Sequence, residues 1–591
     1  MENLYRRIRQ LINTAKLPSK KETMMAISSF EKKERLIFFG FCFVLLLTTI
    51  VILENINQQF MVEVPMRGGS LSEGVVGTPR FINPILALSD ADRDLTSLVY
   101  SGLMRKSGDG TLIPDLAKSF QISEDGLSYT FILKDNIYFS NGTPVTADDI
   151  IFTIKEAKDP IIKSPIKGNW DGVNVEKQDE KTLVFTLKQP YASFLENATI
   201  GIMPASLWGN GPIELSSYNI NPIGSGPYQV SGTKKGTSGI INYYDLISFK
   251  KFALGKPYLD KITMHFYPNE EDLLNALQNN EIDQMSSITP ENAEKLKNEG
   301  YNIETSVLPR VFGLFFNQNQ NNIFTDKNVI KAIDQAINKE FIIKEVLKGY
   351  GLVIDDPIPP NMVAYQRILS DTKTSHEDNL EKAYQILKNG GWTKGADGIL
   401  EKVSIDKKKK KNNKTTAKLE FSISTGNAPA LSETANLIKN DLESIGMKID
   451  VKTFEIGNLN QAVIRPRKYD ALLFGEIISH ESDLFAFWHS SQRKDPGLNV
   501  AIYTNPKVDK ILEDALVTVD EKSRIKKYAQ FEDQIRQDMP AVFIYSPNFI
   551  YVVDKNLYGL NIDHITSPGD RFLNVYNWSI LKDKIWRIFI K

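Results

Sequence analysis

Hydrophobic and polar positions follow two rhythms along this chain, and together they predict strands and helices in mixed order. Short stretches that alternate or are continuously apolar, with turn residues beside them, indicate β-strands. These stretches are Tyr129–Leu133, Thr182–Leu187, Lys261–Tyr267, Leu419–Ser424 and Lys448–Thr453. Longer stretches with apolar residues at every third or fourth position indicate helices. They are Glu270–Asn279, Lys327–Asn338, Asn379–Lys388, Leu431–Ile445 and Ser523–Gln537.

The connections between these segments favour an α/β protein. Gly446 follows the helix pattern that ends at Ile445, and a strand pattern starts directly after it. We find no internal repeat with a period of about 20–50 residues, which argues against a solenoid or a propeller. The lysine-rich stretch Asp406–Thr416 is typical of a solvated loop, so we interpret Gly395–Lys418 as an extended hairpin or loop. Docking of this loop to anionic lipid or cell wall is the functional alternative.

One uncharged apolar run, Leu36–Leu53, is long enough to suggest a membrane helix. It has 18 residues, and about 20 helical residues cross a hydrocarbon core. The preceding residues are rich in arginine and lysine, so the positive-inside rule places residues 1–35 in the cytoplasm and the rest outside. A cleaved signal peptide, a lipoprotein signal and a buried core helix are the alternatives. No A-x-A-like site follows the run, and Phe41 precedes Cys42, so we expect an uncleaved single-pass anchor.

Composition excludes several classes of function. The 591 residues include 71 Lys and Arg against 72 Asp and Glu, so no excess of positive charge suggests nucleic acid as a partner. Cys42 is the one cysteine, which rules out an intrachain disulfide and a cysteine-based zinc site. Five scattered histidines offer little for a metal cluster. We expect no metal and no cofactor.

Sequence motifs of catalysis are also missing. The chain has no phosphate-binding P-loop and no G-x-G-x-x-G after a strand. Gly224-Ser225-Gly226 lacks the spacing of a nucleophile elbow, and His480-Glu481 lacks the second histidine of H-E-x-x-H. Because no segment supplies a nucleophile, a base and an orienting group together, we expect no enzyme and no catalytic residues.

Several blocks in the exported part resemble one known family. The most specific is Phe139–Ile150, FSNGTPVTADDI, and Pro222–Tyr228, PIGSGPY, is the next. Order and spacing also agree for further blocks, which include Pro114–Ala117, Phe315–Asn317, Tyr503–Pro506 and Asp538–Pro540. From about Ser70 to Leu560 the chain resembles the family 5 solute-binding proteins of ABC importers, the receptors for peptides and nickel.

The motif residues also make sense as parts of a scaffold. Asn141-Gly142 suits a tight turn with positive φ. Thr146 suits a helix N-cap, and Asp149 places a negative charge in the first turn. For Gly224 and Gly226 we expect a role in letting the backbone cross between lobes without a Cβ clash.

The resemblance implies an α/β fold of the large, two-lobed periplasmic-binding-protein class, preceded here by one transmembrane helix. Crossing strands join the lobes, the ligand lies in the cleft between them, and the lobes close around it. The domains implied are a cytoplasmic tail 1–35, an anchor 36–53, lobe I at 68–308 with an extra subdomain at about 107–206, lobe II at 309–544, a return to lobe I at 545–577, and a C-terminal tail 578–591. The basic, aromatic end Lys582–Lys591 suits either a membrane interface or packing on the body.

Peptide receptors of this family commonly present an aspartate to the α-amino group of the ligand. The matching stretch here is Gly475–Trp488, and it has His480 or Ser479 at the position of that aspartate. Glu476, which replaces a tryptophan of the pattern, or a neighbouring carboxylate could serve instead, since a buried ammonium needs a partner. Alternatively, His480 receives a carboxylate or a metal chelate. The ligand-binding residues predicted here are Glu476, His480, Glu481, Asp483 and Trp488.

The strand that enters lobe II is the second predicted part of the ligand site. Phe312, Phe315 and Asn317 lie on it, and alternate side chains of a strand face opposite ways. We expect these residues to divide between cleft and core.

Three functions follow from these observations. The first is capture of peptides, most simply short oligopeptides, by a monomeric receptor that delivers them to ABC permease subunits. Nickel, haem and oligosaccharide are open as other ligands. The second is a membrane-anchored sensor or chaperone that uses the same cleft, and the third is a membrane-anchored hydrolase.

Overall fold

A computed structural model describes residues 19–191, 193–209, 211–237, 239–360, 362, 374–406 and 413–589. These residues form two compact units. One contains the residues through Met66 together with those from Lys582, and the other is Arg67–Leu581. We call them the N-terminal unit and the main unit.

The N-terminal unit contains two helices and a two-stranded ribbon. The helices are Lys20–Ser28 and Lys32–Phe60. Among the described residues, Lys32–Phe60 alone is long and apolar enough to cross a membrane, and it contains the whole apolar run at 36–53. Strand Met61–Met66 continues from this helix and pairs with the C-terminal strand Leu581–Trp586.

The first lobe of the main unit is built on a twisted sheet with mixed strand directions. Ser70–Val76 lies near its centre and runs parallel to both of its neighbours. The strands, in spatial order, are Tyr228–Lys235, Ile241–Ser248, Lys261–Tyr267, Ser70–Val76, Gln284–Met285, the end of Ala541–Val553, and Asn302–Val307. The helices are Asp90–Val99, Glu270–Gln278 and Pro290–Asn298.

A smaller antiparallel sheet lies within the sequence of the first lobe. Its strands, in spatial order, are Ala117–Ile122, Ser128–Leu133, Thr182–Leu187 and Val173–Lys177. The hairpin Met104–Lys106 and Leu112–Pro114 precedes it. The helices of this region are Ala147–Lys158, Phe194–Asn197 and Ala205–Trp208. Its apolar side chains join those of the first lobe in one core.

The second lobe has its own sheet, and apolar side chains cover both faces of it. Leu314 and Leu473 lie in the core on one face, and Phe315 and Leu472 lie in the core on the other. Its strands, in spatial order, are Lys448–Phe454, Glu420–Gly426, Ala471–Ile477, Arg310–Phe316, the start of Ala541–Val553, and Gly351–Val353. A separate sheet contains Thr393–Lys394, Leu400–Asp406 and Asn413–Lys418. The helices are Lys327–Ala336, Lys339–Glu345, His376–Asn389, Pro429–Ser444, Ile456–Asn458, Asp483–Trp488, Pro506–Val517 and Glu521–Asp538.

Two chain segments cross between the lobes side by side. Ala541–Val553 pairs with Arg310–Phe316 through its first half and with Asn302–Val307 through its second half. Leu308 and Pro309 connect those two partner strands. At the crossing, the Leu308 amide donates to the Pro547 carbonyl at 3.2 Å, and the Ser546 hydroxyl donates to the Leu308 carbonyl at 2.8 Å. Leu308 and Pro309 are residues between two strands, the kind of position at which hinge residues generally lie.

The C-terminal part of the main unit returns to the first lobe through a buried ion cluster. The Arg571 guanidinium donates to Glu73 at 2.7 Å and to Asp94 at 2.6 Å, and all three side chains are fully buried. Glu73 lies on strand Ser70–Val76 and Asp94 on helix Asp90–Val99, so one arginine holds three distant segments together. Breaking such a buried pair typically costs about 3–5 kcal/mol.

Local sequence signals predicted the elements well. Strands Thr182–Leu187 and Lys261–Tyr267 have the predicted bounds, and the helix expected at Leu431–Ile445 is Pro429–Ser444. Gly142 has φ of 89° in its turn, and the Asp149 carboxylate accepts from the Thr146 amide at 2.8 Å. The hairpin expected at Gly395–Lys418 is present, although residues 407–412 of its lysine-rich stretch lie outside the described residues.

The role expected for Gly224 and Gly226 is wrong. Neither residue lies at the crossing between the lobes. A Cβ on Gly226 would lie 2.5 Å from the carbonyl carbon of Val99, and one on Gly224 would lie 2.1 Å from the Val99 oxygen. The two glycines are therefore required because this segment packs against the end of helix Asp90–Val99 inside the first lobe.

Candidate ligand-binding cleft

A cavity of about 830 Å³ opens between the two lobes beside the crossing at Pro309. The hairpin at residues 104–114, the helix Phe194–Asn197 and residues 564–566 supply one wall, and loops and a helix of the second lobe supply the other. The polar lining residues are Lys106, Asp109, Thr111, Ser193, Glu196, Ser479, His480, Glu481, Glu521, Arg524, His564 and Thr566. The cavity therefore presents charged groups of both signs from both lobes.

His480 lies in the loop that follows strand Ala471–Ile477 and reaches across the cleft. Its Nδ1 and the Oε2 of Glu196, on helix Phe194–Asn197 of the opposite wall, are 2.5 Å apart. Burial by itself would lower the pKa of His480, but the hydrogen bond and charge of Glu196 outweigh burial and raise this pKa. The pKa of Glu196 is lowered in return, since His480 outweighs the effect of burial. The two side chains form an ion pair across the cleft.

A second contact crosses the cleft close to this pair. The hydroxyl groups of Tyr191 and Ser482 are 3.0 Å apart. Tyr191 precedes the helix that carries Glu196, and Ser482 follows His480 by two positions. The two contacts thus join the same two segments, residues 191–196 and residues 480–482. We call these four residues the cleft latch.

Glu481 and Asp483 are both engaged within the second lobe. The Arg524 guanidinium donates to Glu481 at 2.5 Å, yet burial dominates and the pKa of Glu481 is raised. Asp483 accepts from the backbone amide of His480 at 2.9 Å, and burial raises its pKa as well. Asp483 therefore holds the His480 loop in shape rather than facing the cavity.

Glu476 is placed differently from the other predicted carboxylates. It is 1% exposed, and neither oxygen of its carboxylate has a hydrogen-bond partner among the described residues. Burial raises its pKa well above the ordinary range. It lies on strand Ala471–Ile477, opposite Val311, and does not line the cavity.

The predicted aromatic residues and Asn317 lie in a core of the second lobe or, for Phe312, pack against one. Phe315 and Trp488 pack on each other with ring centroids 6.2 Å apart, and both are fully buried. Phe312 stacks on Tyr545 in the core on the other face of the sheet. The Asn317 amide donates to the Arg467 carbonyl at 2.8 Å. Alternate residues of this strand therefore divide between two cores, because both faces of the sheet are covered.

Sequence reasoning missed Lys106, Glu196 and Arg524. They belong to three segments far apart in the chain, and none is part of the Gly475–Trp488 stretch. Lys106 lines the cavity, and its ammonium makes no ion pair or hydrogen bond with another described residue. Across the described residues, no group of three His, Cys, Asp or Glu side chains is arranged as a metal site.

Comparisons with known proteins agree with this architecture. The sequence model of bacterial extracellular solute-binding proteins, family 5, matches residues 111–495. The oligopeptide-binding protein AppA of Bacillus subtilis is 30% identical over 531 residues, which cover 88% of this chain and 93% of that protein. The structure of AppA in complex with a nonapeptide superposes with a TM-score of 0.65 at 28% identity, and covers 87% of this chain and 99% of AppA.

A further solved structure has the same fold with another ligand. NikZ of Campylobacter jejuni, in complex with Ni(L-His), superposes with a TM-score of 0.66 at 29% identity, and covers 86% of this chain and 99% of NikZ. The two-lobed fold expected from the sequence is confirmed. The chain belongs to family 5 of the bacterial extracellular solute-binding proteins.

Proposed function

We propose that this protein is the extracytoplasmic receptor of an ABC importer and captures short peptides in the cleft between its lobes. The observation that carries the proposal is the cavity of about 830 Å³, which both lobes line with polar groups. Ligand cavities generally measure about 300–1,000 Å³. Peptide complexes of relatives, such as AppA with a nonapeptide, support peptide as the ligand. Helix Lys32–Phe60 holds the receptor in the membrane as a single-pass anchor, beside its permease.

Binding without chemical conversion fits the charged groups of the cleft. Glu196 and His480 pair with each other, and Glu481 pairs with Arg524. The charge of Lys106 acts on the nearby Glu196, but its ammonium makes no hydrogen bond or ion pair with a described residue, so it is the group on which we place a ligand carboxylate. We propose His480, Glu481, Glu196, Arg524 and Lys106 as the residues that face the ligand, and we expect a monomer that does not hydrolyse it.

Native mass spectrometry of the full-length protein in detergent tests this function. A heterogeneous set of added masses that fit short peptides, absent from a denatured sample, is the expected result. A single non-peptide mass would overturn peptide as the ligand and leave the receptor in place. A bare protein mass, with no thermal shift from a peptide library, would argue against the receptor as well.

A substitution in the cleft then tests the proposed carboxylate contact. We expect Lys106→Gln to weaken the affinity for a bound peptide about tenfold or more, since a charge-assisted hydrogen bond contributes about 1.5–3 kcal/mol. Lys118→Gln, at an exposed position of the smaller sheet, is the matched control and should bind as the wild type does. Equal affinities of the two variants in isothermal titration calorimetry would remove Lys106 from the site.

A further inference from the structure

The C-terminal end of the chain is tied to the outer end of the membrane-anchor helix. Strand Leu581–Trp586 pairs with Met61–Met66, the strand that directly follows this helix. The Lys582 ammonium donates to Glu63 at 2.6 Å. The Trp586 ring stacks on Phe60, the last residue of the helix, with centroids 6.1 Å apart and planes 17° apart. These contacts hold the C-terminal residues at the level of the helix end.

The residues held there are apolar and exposed. Ile588 is 77% exposed, Phe589 is 69% exposed, and Phe60 and Trp586 also expose much of their rings. Lys584 and Arg587 alternate with them and are exposed too. A short segment that combines exposed aromatic rings with cations is suited to the boundary of a bilayer, where rings sit at headgroup level and cations meet anionic lipid.

The length of the helix places this segment at the headgroup level. A hydrocarbon core of about 30 Å takes about 20 helical residues, so a span that begins at Leu36 ends near residue 55. Phe60 then lies about 7.5 Å farther out at 1.5 Å per residue. The headgroup layer is about 5–7.5 Å thick on each side, because the whole bilayer measures about 40–45 Å. The stacked Phe60 and Trp586 rings therefore lie at the outer part of this layer.

We propose that the C-terminal segment Trp586–Phe589 is a second membrane contact, which inserts its apolar side chains among the lipid headgroups of the outer leaflet. The inference rests on the proposed membrane anchor and goes beyond it, since a lone helix would leave the C-terminus in water. The ribbon joins the segment to the strand that directly follows the anchor helix. Its partner is a lipid surface, and anionic headgroups strengthen the contact.

The tryptophans of this protein offer a selective probe. The chain has six, and Trp170, Trp208, Trp392, Trp488 and Trp578 are at most 3% exposed, whereas Trp586 is 39% exposed. Bromine on lipid tails quenches only tryptophans that touch the bilayer. The experiment measures tryptophan emission of full-length protein in vesicles of phosphatidylcholine and phosphatidylglycerol, with and without brominated phosphatidylcholine. The wild type is compared with Trp586→Phe and with the double variant Ile588→Ser, Phe589→Ser.

We expect brominated lipid to quench the tryptophan emission of the wild type. This quenching should be lost in Trp586→Phe and weaker in the double variant. Quenching should be stronger with bromine near the headgroup than with bromine near the tail end. Wild-type emission that is insensitive to brominated lipid, in protein that floats with the vesicles, would overturn the second contact and leave the anchor in place. Protein that fails to float with vesicles would overturn both. Quenching that persists in Trp586→Phe would assign the lipid contact to another surface.

Discussion

At the scale of single residues, Glu476 is the least expected feature of the second lobe. Side chains alternate along strand Ala471–Ile477, so Glu476 faces the same core as Leu472 and Phe474. Its sequence context suggested a ligand carboxylate, but its surroundings are those of a core residue. An ionised carboxylate without a partner is costly in such a place, and the raised pKa follows from that cost.

Replacement of Glu476 should therefore change how stability depends on pH. Because the pKa of Glu476 is higher in the folded protein than in the unfolded chain, folding gains stability from its neutral form at low pH and loses it as pH rises through the folded pKa. We expect Glu476→Met to gain stability relative to the wild type above about pH 4.5, by up to about 1.4 kcal/mol per pH unit until the folded pKa is passed. Urea unfolding between pH 4.5 and 8 measures this difference.

The control for this prediction is Glu433→Met, at an exposed position of helix Pro429–Ser444. Its stability relative to the wild type should not follow the same pH dependence. A constant difference between Glu476→Met and the wild type over this range would mean that Glu476 is ionised and paired in the folded protein.

At the scale of elements, what could be predicted depended on how far apart in sequence the interacting residues lie. The helix start at Thr146 and Asp149 was predictable because both groups lie within one turn. The packing of Gly226 was not, because its partner Val99 belongs to a helix far earlier in the chain. The same holds in the cleft, where the sequence pointed to His480 but carried no signal that Glu196 lies opposite it.

Close packing of Gly226 gives a direct test at this scale. An alanine Cβ there would lie 2.5 Å from the Val99 carbonyl carbon and 2.6 Å from the Tyr100 nitrogen, which are backbone atoms that cannot swing aside. Overpacking usually costs about 1–3 kcal/mol, and we expect Gly226→Ala to lose about 3 kcal/mol or more in urea unfolding. Gly232→Ala is the matched control, since its Cβ would meet no atom closer than 3.8 Å. Similar losses in both variants would show that the contact with Val99 does not govern the cost of the substitution.

At the scale of the whole molecule, the two lobes were predictable from the resemblance, whereas the contacts that hold them together were not. The crossing at Leu308 and Ser546 connects the lobes through the backbone, and the cleft latch connects them through side chains. Closure of such a cleft reflects the difference in free energy between closed and open forms. A contact across the cleft that forms without ligand lowers the free energy of the closed form relative to the open form.

The latch should make closure of the ligand-free receptor sensitive to pH. In this structure Glu196 and Asp483 raise the pKa of His480, and the charge of Lys106 lowers it. Glu196 belongs to the opposite wall, so opening of the cleft would remove its effect, and we expect the pKa of His480 to be higher when the cleft is closed. The closed form then binds the proton more tightly, and closure is favoured at low pH and lost as pH rises above the ordinary histidine value of about 6.5.

Energy transfer between two dyes measures closure in the full-length protein. The dyes are attached to cysteines introduced by Lys118→Cys in the first lobe and Lys510→Cys in the second, and Cys42→Ser removes the natural cysteine. We expect transfer to fall between pH 6 and 8.5 and to lose this dependence in His480→Gln. The control is His376→Gln. The His376 imidazole lies 3.1 Å from Asp441 within the second lobe and does not cross the cleft, so this variant should keep the pH dependence. If His480→Gln kept it as well, closure would be governed by other groups.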